Sequence, residues 1–404
     1  MLIKFFHQGY KILKELIFFL DKKAFSFPTQ NKKNHDFLID KIINQGIVSS
    51  VNFDFEAIKN ETLTFVDNMR VNKTFFKYKF ASSQQKDNIY SSVYACLIYD
   101  MYGELIKFSN IQKKEWLDYF DSYQSSNDGL WYESKLKNQY YDDCDWWGAR
   151  HLAIHIIAAY TALGSKPKYK VKYVEKYYDK SHLYSWLDSF DWNGFFDHSN
   201  DVDNKIMNIA VIMQFNRDFF EDIEARQALN NLYDYLDSKI NSTTGMWGKC
   251  DTENTYELSR TVQFAYHLLM PYFYDKREVL FKEKILKLTL KTQNKFGGYG
   301  EKLNSSACED IDSVDLLIHL SVDDNIEVKQ SLKKALVWIL SNQNRDGGFV
   351  FRRNESIWYG HDIMTAQKNE SQLFATWFRS LSILKIIKRL KVKNNYIINK
   401  TPSF

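Results

Sequence analysis

The sequence predicts an all-α protein in which six helical hairpins close into a ring, an (α/α)6 toroid. Three observations carry that expectation. The first is a recurring turn. Gln124-Ser-Ser-Asn-Asp-Gly129-Leu-Trp131, Asn193-Gly194-Phe-Phe196, Thr244-Gly245-Met-Trp247, Gln293-Asn-Lys-Phe-Gly297-Gly-Tyr299 and Gln343-Asn-Arg-Asp-Gly347-Gly-Phe349 place their last aromatics 65, 51, 52 and 50 residues apart. A fixed period of this size marks stacked supersecondary units. A further step of 51 back from Trp131 reaches Phe80, the expected turn of a degenerate first unit without glycine. The second observation is composition: four prolines and fifteen glycines in 404 residues fall below the average usage of about 5% and 7%. Helix breakers are therefore scarce, and no region alternates as strands do. The third is an asymmetry across each turn. Segments before it, such as EARQALNNLYDYLDSKI and VKQSLKKALVWILSNQ, are charged on one face. Segments after it, such as MNIAVIMQFN and SQLFATWFRSLSILKII, are more apolar. In a ring the first kind forms the outer layer and the second lines the axis.

Taken in order, residues 1–25 are the most apolar stretch, with helical spacing interrupted by Lys4, Lys11 and Lys14. They are too charged to span a bilayer and lack a small-residue cleavage site. An outer helix packed on the body is the first reading and a peripheral membrane helix the alternative. The stretch 26–60 completes this N-terminal segment as a polar connector. The ring is expected over 61–390, with a Lys/Tyr-rich insertion at 165–185 filling the longest step, and a tail over 391–404. The net charge of +4 comes from scattered lysines, so nucleic acid is not an expected partner. The four cysteines (Cys96, Cys144, Cys250, Cys308) have no metal spacing and suit reduced thiols in a cytoplasm.

The chemistry-bearing residues fall on three inner helices. Ser306-Ala-Cys-Glu309 has capping-box spacing, which starts a helix there. Asp312, Asp315 and His319 follow on one stripe of it. A second stripe carries Glu253, Glu257, Arg260 and His267, and a third Asp143, Trp147, Arg150 and His151 with His155 a turn on. A polar stripe on an inner helix faces the central cavity. Asp312, Asp315 and Glu257 are therefore the candidate catalytic acids. Trp146, Trp147, Arg150, His151, Arg260, His319 and Tyr299 are the candidate substrate contacts. Acids just after each turn (Asp142, Asp143, Asp201, Asp251, Glu309, Asp310) are what helix N-termini favour anyway. Asp312 and Asp315 lie beyond that range. Arg150 and Arg260 also fit a structural role, neutralising buried carboxylates. His151 and His155 have the spacing of a metal pair without a third ligand, so no metal or cofactor is expected. Of two consecutive tryptophans, one is expected in the lumen, and Trp358-Tyr359-Gly-His361 in a loop at one mouth.

The Q-x-x-x-G-x-aromatic turns at Gln293 and Gln343 resemble the QW repeats of squalene-hopene-type terpene cyclases. The arrangement over roughly 75–390 resembles the toroid those cyclases share with protein prenyltransferase β subunits. The cyclase likeness implies a proton donor at the middle acid of D-x-D-D. The similar stretch here is Asp310-Ile-Asp312-Ser313, with Ser313 in place of the last acid. The prenyltransferase likeness implies zinc on a D-x-C pair. Asp142-Asp-Cys144 is similar in form but stands in an early repeat without an evident third ligand. The expected function is an enzyme acting on an isoprenoid or lipid-linked substrate by acid-assisted chemistry centred on Asp312. A carbohydrate-active toroid working on a glycan, or a non-catalytic scaffold, stays open as the alternative.

Overall fold

The structure is a computed structural model and describes residues 55–72, 76–392 and 401–402. The apolar stretch at 1–25, with the membrane contact considered for it, lies outside the described residues. Among the described residues no helix is long and apolar enough to cross a membrane.

Among the described residues twelve α-helices follow one another: α1 (Phe55–Asn68), α2 (Ile89–Met101), α3 (Asn110–Asp121), α4 (Ala149–Ala162), α5 (Lys180–Leu187), α6 (Val202–Phe219), α7 (Ile223–Ser238), α8 (Thr255–Asp275), α9 (Lys282–Lys291), α10 (Ala307–Leu320), α11 (Ile326–Leu340) and α12 (Leu373–Arg389). The even-numbered helices pack each on the next, and α12 packs back on α2, so the inner layer is a closed ring. Odd-numbered helices lie outside it, with α9 on α10 and α11 on α12. Burial follows the same division. Every residue of α2 from Ile89 to Tyr99 is buried, whereas α9 buries only Ile285 and Thr289. The protein is an all-α toroid of six hairpins. Among the described residues the first helix already runs from Phe55, ahead of the expected start at 61, and packs Phe55, Ile58, Phe65 and Val66 against the core.

The repeated turn has one construction. Gln124 bridges Trp131, Ile240 bridges Trp247, Gln293 bridges Tyr299 and Gln343 bridges Phe349, each as one antiparallel pair. In the first unit Arg70 bridges Tyr78. The turn aromatic there is thus Tyr78 rather than Phe80, because without glycine the turn is built differently and the register moves. Phe196 makes no such bridge and stacks instead on Phe264 of α8, with ring centres 4.5 Å apart.

The glutamine explains why the motif recurs. Gln293 donates to Gly297 O at 2.9 Å, within its own turn, and to Ser331 O at 2.9 Å, on the outer helix of the next hairpin. Gln343 donates to Gly347 O at 3.0 Å and to Thr62 Oγ1 at 3.4 Å, on α1, so the same bond closes the ring. Gly347 has φ 88°, and a Cβ there would lie 2.0 Å from Glu61 O. The turn must abut the neighbouring outer helix, and only glycine permits that approach.

Two departures from helix matter for the site. The Lys/Tyr-rich insertion forms a short 3-10 segment (Lys172–Tyr177) followed by α5. The segment before α12 folds into a small hairpin, β1 (Ile357–Trp358) paired with β2 (Thr365–Ala366).

Candidate functional site

Inner helices α8, α10 and α12 follow the turns that carry Trp247, Tyr299 and Phe349, and Asp203, Arg260 and Asp312 lie in the N-terminal halves of α6, α8 and α10. A cavity of about 300 Å³ opens there between α4, α6, α8, α10 and α12, with Tyr359 of the hairpin as part of its wall. Phe374 and Phe378 of α12, Phe351, Trp146 and Tyr266 supply aromatic walls.

Asp312 is the central feature. It is buried among these walls, and no hydrogen-bond partner reaches its Oδ2. Burial, reinforced by the negative neighbours Asp203 and Glu309, pushes its carboxyl well above the usual carboxylate range. Arg260 does not relieve this by pairing with it. Its guanidinium donates bidentately to Asp203 on α6, both contacts 2.7 Å, and His267 Nδ1 lies 2.9 Å from the same carboxylate. Burial alone would raise the Asp203 carboxyl, but Arg260 and His267 outweigh it and hold that group far below the ordinary range. One cavity thus holds a carboxylate engaged by Arg260 and His267 beside a carboxyl raised well above the ordinary range.

The structure brings Asp312, Arg260, His151 and Trp146 to the cavity. Asp315 sits a turn below Asp312 but is claimed by Lys385, 2.6 Å away, which reaches over from α12. His319 is exposed at the opposite end of α10, stacked on Phe273 with ring centres 4.3 Å apart. Glu257 occupies the first turn of α8, where it accepts from the Asp251 amide (2.9 Å) and the Asn254 side chain (3.1 Å). It stabilises that helix start rather than lining the cavity. Tyr299 is buried in its turn and hydrogen-bonded to Ser331 Oγ at 2.7 Å.

The expected stripe through Asp143, Trp147 and Arg150 does not form, because α4 begins only after Gly148, whose φ of 89° starts a new direction. Arg150 turns outward to Asp145 (3.2 Å) and over the Tyr173 ring. Trp147 is packed between Tyr90, Tyr141 and Gly360, while its neighbour Trp146 faces the cavity. His151 Nε2 lies 3.3 Å from His155 Nε2, and burial brings His151 down to about 3. Among the described residues no three His, Cys, Asp or Glu side chains gather as a metal-ligand set.

Three cavity groups had little signal in the sequence. Asp203 sits in the first turn of α6 among acids that read as caps. His198 precedes α6 in a turn, and Phe378 lies on a helix buried along most of its length, where one more apolar residue gives no signal. For Asp203, the partner two helices away is the only mark, and only the closed ring reveals it.

Fold and site together define an α/α toroid with an acidic, aromatic-walled central cavity. No protein-family model matches the chain, nor does any curated protein sequence. Among solved structures it is similar to apo type II terpene cyclase MstE from Scytonema, at 11% identity and TM-score 0.46 over 83% of this chain and 98% of that one. It is also similar to a GH76 α-mannanase of Bacteroides thetaiotaomicron, at 15% identity and TM-score 0.46 over 85% and 98%. A third is a protein from Actinoplanes, at 10% identity and TM-score 0.44 over 84% and 100%.

Proposed function

We propose that the protein is an enzyme that works in the ring's cavity by acid-initiated chemistry on an isoprenoid or lipid-linked substrate, with Asp312 as proton donor. The observation that carries this reading is the Asp312 carboxyl: buried, unpartnered at Oδ2, raised in pKa, and facing an aromatic-walled space. A general acid must hold its proton at the working pH and be free to release it into the substrate. The raised carboxyl and free Oδ2 of Asp312 support that role, whereas Asp310, Asp315 and Asp203 are each committed to a cation. The aromatic faces suit a substrate on which positive charge develops.

A glycosidase needs a second carboxylate free to act as nucleophile or base. Asp203 is poorly placed for that, since both its oxygens are held by Arg260. The test is turnover of polyprenyl and lipid-linked substrates in heavy water by the wild type and Asp312→Asn. The wild type is expected to consume a polyprenyl compound and incorporate one deuterium, and the variant to fold normally and lose at least a thousandfold in rate. A variant that retains turnover, or a wild type that cleaves only mannan-type glycans, would replace this reading with the carbohydrate one.

A further inference from the structure

Resting on that reading, we propose that His267 is the proton acceptor of the same cavity, positioned by Asp203 and Arg260. An acid that delivers a proton explains only how a reaction starts. The cationic product must lose a proton elsewhere, and the group that takes it needs a lone pair directed into the cavity.

His267 is the histidine arranged for this. It lies on α8 two turns beyond Arg260, and its ring lines the cavity with Asp312. Its Nδ1 is 2.9 Å from Asp203 Oδ2, and no described hydrogen bond reaches its Nε2. A carboxylate at Nδ1 fixes the proton on that nitrogen, so in the neutral ring Nε2 carries the lone pair. Asp203 is in turn immobilised by two 2.7 Å contacts from Arg260. The other cavity histidines are arranged differently. His151 and His155 face each other at 3.3 Å, and His198 is exposed at the mouth.

The balance is as follows. Asp312 gives its proton to an alkene carbon, the π pair forms the new C–H bond, and a cation is left on carbon. His267 Nε2 takes a proton from the carbon beside the final cation, and that C–H pair becomes the new double bond. The net change in the substrate is an isomerisation. The imidazolium and the Asp312 carboxylate then exchange the proton through water, with no oxidant or reductant involved.

Two measurements test this. Nitrogen NMR of histidine-labelled protein, with His267 assigned from His267→Gln or His267→Asn, is expected to show the Nδ1–H tautomer in the wild type and its loss in Asp203→Asn. An Nε2–H tautomer in the wild type would overturn the proposal whether or not a substrate is known. If a polyprenyl substrate is turned over, His267→Gln is expected to shift the product ratio at least tenfold from alkene to water-captured alcohol. An unchanged product ratio would also overturn it. Failure of every polyprenyl substrate in the wild type counts against the isoprenoid reading, while the tautomer still decides the role of His267.

Discussion

Asp310 and Asp312 stand two residues apart on α10 and so face opposite sides of it. Asp310 accepts from Arg379, Ser305 Oγ (2.7 Å), the Tyr299 amide (2.9 Å) and Trp338 Nε1 (3.1 Å), tying the turn to two helices. Asp312 has none of these partners. Sequence spacing separated the two, since an acid beyond the first turn has no capping role, but it did not reveal which cation served which acid. Arg260 was available to Asp312, Asp315 or Asp203, and ring geometry awarded it to Asp203. Breaking that buried pair from one side leaves an uncompensated charge, so Asp203→Ala is expected to cost about 3–5 kcal/mol in chemical denaturation. A cost below about 1 kcal/mol would mean the pair is hydrated and not the fixed anchor described.

Glu133 gives a pH prediction at the same scale. It is buried, accepts from the Ile89 amide at 2.7 Å at the start of α2, and burial raises it from the ordinary 4.5 to about 7. The folded protein therefore keeps this proton over a range in which the unfolded chain has lost it. Its contribution to stability is present below about 4.5 and declines as pH rises to about 7. The size is on the order of 3 kcal/mol. Glu133→Gln is expected to flatten the fall in melting temperature between pH 5 and 8, which a thermal scan across buffers reads directly. An identical slope in the variant would assign the fall to other groups.

At the scale of elements, the hairpins and their two layers were legible because the turn repeats and because inner and outer helices bury different fractions of their surface. Less legible were features without a periodic signal. The start of α4 depends on one glycine conformation at Gly148, so the run from Trp146 through Arg150 reads as helix while its first residues form the approach to it. The register of the first turn moved from Phe80 to Tyr78 for want of a glycine to mark it. Trp247 represents the turns that were legible. It is buried, and its Nε1 donates to Leu236 O at 2.8 Å, joining turn to preceding helix. Trp247→Ala is expected to cost about 3–5 kcal/mol without changing turnover, measured by urea unfolding beside an activity assay. A stable variant would mean the turn aromatics are replaceable decoration on the helix ends.

At the scale of the whole molecule, no single hairpin contains the site. His151 comes from α4, Asp203 from α6, Arg260 and His267 from α8, and Asp312 from α10, and they meet only because α12 returns to α2. That is why residues a turn apart in sequence, such as Asp312 and Asp315, end in different surroundings, while residues far apart share one cavity. The ring also buries the Asp312 carboxyl, and that burial is the main cause that raises it above the usual carboxylate range. The central claim is therefore the protonation state of one side chain, which can be read without knowing the substrate. Difference infrared spectra of wild type against Asp312→Asn at pH 7 are expected to contain a protonated carboxyl stretch that the variant lacks. A carboxylate band in its place, showing Asp312 ionised at that pH, would contradict the account.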